Sequence, residues 1–247
     1  MNKRIWNGKR YWLIGASEGL GRALAHELSR AGCEVVVSAR SVDRLQSLVA
    51  ELPSKAMAIP VDVTDRNSVE SAASEIGELD GVVYLAGVYW PMSAYEWSNE
   101  KADLMGEINF LGASRVVGAV IGNMLRRGRG HIVLTGSLSG FRGLPGAIGY
   151  CSSKAGMMSL AESMQADLWN SPVEVQLINP GFIKTRLTDK NDFNMPFILS
   201  AEDAAVEMRK HMETGKFKKS FPTIFSWVFR LSQFLPDWAY FRLFGRK

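Results

Sequence analysis

The stretch YCSSK sets a phenol and an ammonium four positions apart, at Tyr150 and Lys154. Four residues is just over one helical turn, so on a helix the two side chains leave the same face about 6 Å apart. A neighbouring positive charge favours phenolate over phenol, which lowers the tyrosine's pKa and makes it a proton donor usable near neutral pH. The same spacing also serves a half-exposed surface couple. Proton chemistry therefore requires further parts: something to bind a reactant, and elements to hold it against the phenol.

A second group of residues offers such a part. The segment IGASEGLG carries Gly15, Gly19 and Gly21, with Ser17, Glu18 and Leu20 between them, after an apolar run and before a helical one. Glycines permit a tight turn and close approach of backbone to a pyrophosphate, and a helix N-terminus offers unpaired N–H groups and partial positive charge. Placement between a first strand and a first helix favours dinucleotide binding over a ligand-free connector. The next apolar run ends in Ser38-Ala39-Arg40. NAD binders usually place a carboxylate there to hold the ribose 2'-hydroxyl, whereas a guanidinium grips a 2'-phosphate through a fork of donors. Arg40 thus points to NADP(H) in preference to NAD(H), the alternative being a solvated arginine ahead of a helix.

The elements that must position these groups alternate along the chain. Short, nearly continuous apolar runs at 10–15, 33–39, 56–63, 81–87, 131–137 and 173–181 read as strands, and helical periodicity occupies 22–32, 41–52, 65–77, much of 98–127, and 150–170. Strands apolar on both faces and separated by helices predict an α/β fold: a doubly wound, Rossmann-like parallel sheet with helices on both sides. Ligands in such sheets bind beyond the carboxyl ends of the strands, where Gly15, Arg40, Asp62, Gly87, Ser137 and Gly181 fall.

Composition narrows the class. At 247 residues with 47% hydrophobic and 22% charged content, one domain folding by apolar burial is expected. A catalytic unit over 1–215 would hold both cofactor and substrate sites, with 216–247 an aromatic-rich extension of the same domain. Cys33 and Cys151 form no disulfide framework or metal spacing and suit a reducing cytoplasm. His26, His131 and His211 have no ligand partners nearby in sequence, so no metal site is expected. A net charge of +4 without a dense Lys/Arg block argues against a nucleic-acid groove, and no run of about 18 uninterrupted apolar residues suggests a spanning helix.

Taken in order, the motifs resemble the short-chain dehydrogenase/reductase family in its compact single-domain branch. The match runs from about Lys9 to Gly215: the glycine turn, DVT at 62–64, LAG at 85–87, Asn109 in INFLG, Ser137 thirteen residues before Tyr150, the Tyr150/Lys154 pair, and NPGFIKT at 179–185. The resemblance implies that Tyr150 is the general acid or base at a carbonyl or alcohol oxygen. Lys154 would depress its pKa and bind the nicotinamide ribose, Ser137 would hold the substrate oxygen, and Asn109 would anchor a water linking Lys154 to solvent. Asp62 and Val63 would meet the adenine, Ala86 and Gly87 its ribose, and Ile183 and Thr185 the carboxamide, with Pro180 and Gly181 shaping that loop. Departures are Ile14, where the family usually has Thr, and Tyr84-Leu85, where it has Asn-Asn; these put local bracing of the sheet in question. The expected function is an NADPH-dependent oxidoreductase acting on a small-molecule carbonyl or alcohol, the alternative being a dinucleotide-binding redox sensor or scaffold without turnover.

The segment after Thr185 should be the substrate lid. Its Phe193, Met195, Phe197 and Ile198 suit a hydrophobic or long-chain substrate, or equally packing of the lid onto the protein. The segment from Phe221 onward holds nine of the 25 aromatic residues, with Arg230, Arg242, Arg246 and Lys247 interspersed and Pro236 dividing it. Such surface must be covered. Burial in a homo-oligomer interface or over the substrate pocket is expected first, and peripheral membrane contact through 221–247 is the other solution.

Overall fold

The computed structural model describes residues 3–190 and 194–245, so Phe193, Arg246 and Lys247 lie outside the described residues. The element order is β1 Arg10–Ile14, α1 Gly19–Arg30, β2 Glu34–Ser38, α2 Val42–Glu51, β3 Ala56–Ala58, α3 Arg66–Ile76, β4 Gly81–Tyr84, α4 Asn99–Gly106, α5 Gly112–Arg127, β5 Gly130–Thr135, α6 Ile148–Asp167, β6 Val173–Pro180, α7 Ala201–Met212, β7 Lys218–Phe221, α8 Thr223–Ser232 and α9 Asp237–Phe244. All strand pairs are parallel, in the order β3-β2-β1-β4-β5-β6-β7. The chain winds outward from β1 to β3, then returns to β1's other side with β4, which opens a crevice beyond the strand ends at the β1/β4 boundary.

Side chains alternate across the sheet with the period of two that a strand imposes. On β1, Trp12 and Ile14 enter one core with Val69, Val116, Val120 and Met157, while Tyr11 and Leu13 enter the other with Leu24, Leu28, Leu48 and Met208. Both faces are covered, which is why the strands read as continuously apolar. The helical stretch Asn99–Arg127 is long and apolar enough to cross a membrane by length and composition. Its Val116, Val117, Val120 and Met124 are nevertheless buried in the same core as Val82 and Ile132.

At the positions where the resemblance leads one to expect polar bracing, other groups serve. Trp12 Nε1 donates to Ser38 Oγ at 2.8 Å, tying β1 to β2, and the Tyr84 hydroxyl donates to the Ile108 carbonyl at 2.5 Å. A buried relay crosses the sheet from Tyr11. Gln176 Oε1 can only accept, so His131 Nε2, 3.0 Å away, carries the proton; His131 Nδ1 then accepts from the Tyr11 hydroxyl at 2.9 Å. Gln176 Nε2 in turn is shared among the carbonyls of His211, Thr214 and Lys216 at 3.2, 2.8 and 2.9 Å. Burial pushes the pKa of His131 well below its ordinary value, so this histidine is a neutral structural residue.

A seventh strand, β7, joins the six that the apolar runs predict. KKSF holds a single apolar residue, Phe221, too few to read as a strand; β7 sits at the sheet edge, pairs with β6 from Leu177↔Lys218 to Pro180↔Phe221, and ion-pairs its lysines with Glu162 and Glu207. Beyond it, α8 and α9 are pinned by Arg142. The guanidinium donates to the carbonyls of Ser232 and Leu235, both at 2.7 Å, and to Asp237 at 2.6 Å, and it stacks 3.9 Å from the Tyr240 ring centroid. Gln176→Ala strands the relay's buried donor and the carbonyls it serves; it should destabilise the fold by about 3 kcal/mol, read as a lower urea midpoint at unchanged slope.

Candidate active site

The crevice beyond the strand ends is a cleft of about 560 Å³. Its floor depends on close backbone approach. Gly15 has φ +89°, and a Cβ there would stand 2.4 Å from the Ala86 nitrogen; one on Gly21 would stand 2.1 Å from the Gly15 carbonyl oxygen. No side chain fits either place, so β1's turn lies directly against the end of β4 and the first turn of α1. Gly19, Ser17, Glu18 and Leu20 complete this wall. Gly19 lies against Thr185, whose methyl group would be 2.9 Å from a Cβ, which brings the lid's base onto the glycine turn.

Arg40, Asp62, Val63, Ala86, Gly87, Pro180, Gly181, Ile183 and Thr185 all line the same cleft, as do Ser137, Tyr150 and Lys154. Burial works against ionisation of Asp62, but hydrogen bonds from Thr64 to its Oδ1 at 2.9 and 2.7 Å, together with the charges of Arg40 and Arg115, hold its carboxyl below the usual range.

Tyr150 and Lys154 occupy α6, one turn apart, and Lys154 is 4% exposed. The Lys154 ammonium donates to the Thr135 carbonyl at the end of β5, 2.9 Å away, and lies 5.7 Å from the Tyr150 ring centroid. Burial pushes the phenol up to about 12 against a hydrogen bond with Ser137 that lowers it, and burial alone pulls Lys154 down to about 8. Burial therefore sets the net direction of the phenol's shift, with the Ser137 hydrogen bond acting against it. Tyr150 also meets the Tyr89 ring edge-on, 5.2 Å between centroids.

Ser137 accepts hydrogen bonds from the backbone N–H and hydroxyl of Ser139 at 3.2 and 2.9 Å, which orients its oxygen at the start of the turn that leads to α6. Asn109 lies behind the cleft rather than on its wall. It is fully buried in a π turn, Glu107–Leu111, between α4 and α5. Its Nδ2 donates to the Val88 carbonyl at 2.9 Å and to Ser153 Oγ at 3.0 Å, and its Oδ1 accepts from the Val88 N–H at 2.7 Å. The side chain thus buttresses the loop after Gly87 and the helix carrying Lys154.

Several cleft residues escaped the sequence reading. Arg44 and Arg186 both pair with Glu18, at 2.7 and 2.8 Å, joining α2 and the lid to the glycine turn. Phe225 and Phe229 of α8 also reach the cleft. Arg44 stands four residues after Arg40, a helical spacing that could have disclosed it; the two phenylalanines had no signal beyond the general aromatic content of the tail.

Residues 9–195 match the family described as short chain dehydrogenase. An oxidoreductase of Myxococcus xanthus is 37% identical over 232 residues, covering 91% of this chain and 92% of that one. This chain belongs to the short-chain dehydrogenase family. As a short-chain dehydrogenase it is an NAD(P)-dependent oxidoreductase acting between alcohol and carbonyl groups. Among solved structures, an alcohol dehydrogenase of Thermococcus sibiricus complexed with 5-hydroxy-NADP is 26% identical with a TM-score of 0.77, over 86% of this chain and 95% of that one. A short-chain dehydrogenase/reductase of Burkholderia phymatum in complex with NAD shares the fold at a TM-score of 0.85 and 22% identity, over 93% and 94% of the two chains.

Lys154 yields a signed pH prediction. Its pKa is about 8 in the fold and near 10.5 when unfolded, so between these values the unfolded chain holds a proton that the folded chain has released, and stability rises with pH. The buried thiols Cys33 and Cys151, both shifted upward, oppose this above their ordinary pKa. The unfolding free energy of wild type relative to Lys154→Met should therefore increase by ~2 kcal/mol between pH 8 and 10; a flat difference would refute the burial cost.

Proposed function

We propose that this short-chain dehydrogenase is an NADPH-dependent reductase of hydrophobic carbonyl compounds. The observation that carries the cofactor choice is the end of β2, where Arg40, Ser41 and Arg44 line the cleft and the carboxylate of Glu18, on the same wall, is held by Arg44 and Arg186. Guanidinium forks with a hydroxyl suit a 2'-phosphate and offer nothing specific to a bare ribose diol. The glycine floor, in which any Cβ would collide with backbone, fits a pyrophosphate laid against the N-terminus of α1.

When bound, the nicotinamide supplies the hydride. The remaining chemistry belongs to this chain. Ser137 holds the substrate oxygen by hydrogen bonding, and Tyr150 gives a proton to that oxygen as negative charge develops on it. A phenol raised by burial stays protonated until that moment; the proton then passes to the developing alkoxide, a stronger base than phenolate, and the Lys154 ammonium favours the phenolate left behind. Lys154 keeps a positive charge within reach of the phenol and contributes donors to the cofactor ribose. Asn109 acts one step back, fixing the Gly87–Val88 backbone and α6 so that the lysine reaches the cleft.

Substrate class is supported by aromatic rings at the mouth. Phe225 lies 5.9 Å from Phe182, 5.6 Å from Phe197 and 5.1 Å from Phe229, centroid to centroid, so the lid and α8 share one apolar cluster beside the cleft. A reducing, cytoplasmic setting suits the two free, buried thiols Cys33 and Cys151. A non-catalytic sensor would have no use for a phenol and a buried ammonium facing one cleft.

NADPH should raise the melting temperature more than NADH at equal concentration. Arg40→Ala should weaken NADPH binding about 10- to 100-fold while leaving NADH binding unchanged, consistent with the loss of charge-assisted hydrogen bonds. Tyr150→Phe should reduce turnover of any accepted ketone by at least ~100-fold with cofactor binding intact. Preference for NADH by wild type would overturn the cofactor assignment, and turnover surviving in Tyr150→Phe would overturn the acid.

A further inference from the structure

The two faces of α8 meet different surroundings. Phe225 and Phe229, one turn apart, face the cleft. On the other side Ile224, Trp227, Val228 and Leu231 follow the i, i+3, i+4, i+7 spacing of a single stripe and are 79%, 47%, 49% and 56% exposed. The connector and α9 add Phe234, Trp238, Phe241 and Leu243, each more than half exposed. The four aromatics alone leave on the order of 500 Å² uncovered, as much as the largest patch of a typical soluble monomer and of the size that is often functional, before the aliphatic residues are added.

This face is built, not loose. Arg142 binds two carbonyls and the one carboxylate at its rear, and the Tyr240 hydroxyl donates to the Gly143 carbonyl at 2.5 Å, so the inward side of both helices is fastened to the loop before α6. Charge identifies the occupant. From Phe221 onward Asp237 is the sole acidic residue, and Arg142 already holds it. Arg230 and Arg242 are exposed, and Arg230 lies 4.3 Å from the centroid of the Trp227 ring. Indoles and phenyl rings flanked by guanidinium groups match the boundary between acyl chains and anionic headgroups. A second copy applied face to face would oppose like charges.

We propose that α8 and α9 form a preassembled docking face for an anionic lipid bilayer, and that the cleft takes its carbonyl substrate from that bilayer past Phe225 and Phe229. The second clause rests on the reductase reading; the first does not. α8 is then a wall between membrane and active site, and the phenylalanines that seal one side are the path for an apolar chain entering from the other.

The test uses the full-length protein with vesicles of phosphatidylcholine alone or mixed with phosphatidylglycerol. Wild type should sediment with the mixed vesicles, and high salt should weaken this. Trp238→Glu/Phe241→Glu and Arg230→Glu/Arg242→Glu should each cut the bound fraction at least roughly tenfold at unchanged melting temperature, since all four residues are surface groups. Wild type that ignores mixed vesicles, or variants that bind as well as wild type, would overturn the docking face. So would a halving of solution mass in Trp238→Glu/Phe241→Glu without vesicle binding by wild type, which would assign the face to a second copy. For the substrate, kcat/KM toward a long-chain ketone carried in mixed vesicles should fall about tenfold in that double variant while reduction of a short, water-soluble ketone is unchanged. An equal loss on both ketones refutes delivery from the bilayer; absence of any turnover in wild type refutes the reductase reading, and sedimentation still decides the docking face.

Discussion

The ammonium of Lys154 is the group around which the rest of this structure is arranged. A buried cation is costly unless neighbouring dipoles replace its water. Here the Thr135 carbonyl does so at 2.9 Å, from the last residue of β5, and the parallel register that pairs Thr135 with Ile178 sets where that carbonyl lies. Gly87 lies beside it: a Cβ there would stand in ordinary contact, 3.9 Å from the ammonium and 3.5 Å from Asn109 Oδ1. Asn109 grips Val88 from both sides and touches Ser153, the residue before the lysine. Strand end, π turn and helix are therefore coupled through one charge.

Much of this arrangement was legible in sequence because it follows from backbone rules. The Gly15/Gly19/Gly21 turn announces a place where Cβ atoms cannot stand, and the collisions at Gly15 and Gly21 are the physical content of that announcement. The strands to β6 were recognisable because both sheet faces are buried, so Trp12 and Leu13 are equally apolar though they point oppositely. The spacing of Tyr150 and Lys154 survived translation into a helix. What did not translate was electrostatic environment: burial raises the phenol's pKa and the Ser137 hydrogen bond lowers it, while the Tyr89 ring meets Tyr150 edge-on, and neither neighbour is marked by the spacing of Tyr150 and Lys154.

Other features were illegible for identifiable reasons. β7 owes its existence to pairing with β6 and to carboxylates on α6 and α7, neither encoded in KKSF itself. The π turn is set by Asn109's tertiary contacts, and a five-residue stretch within a helical pattern carries no local mark of it. The tail's aromatic content signalled a surface needing cover, but its division into a cleft-facing and an outward-facing set appears only once α8 is placed and Arg142 fastens it.

The turn at Gly15 limits how this enzyme can be redesigned. With Ala86 backbone against it on one side and Gly21 against its carbonyl on the other, the floor of the cleft tolerates no added atoms, so the seat of the nucleotide is rigid and common to any dinucleotide it accepts. On the proposed cofactor reading, engineering of coenzyme choice is confined to the rim formed by Arg40, Ser41 and Arg44, which line the cleft outside that floor.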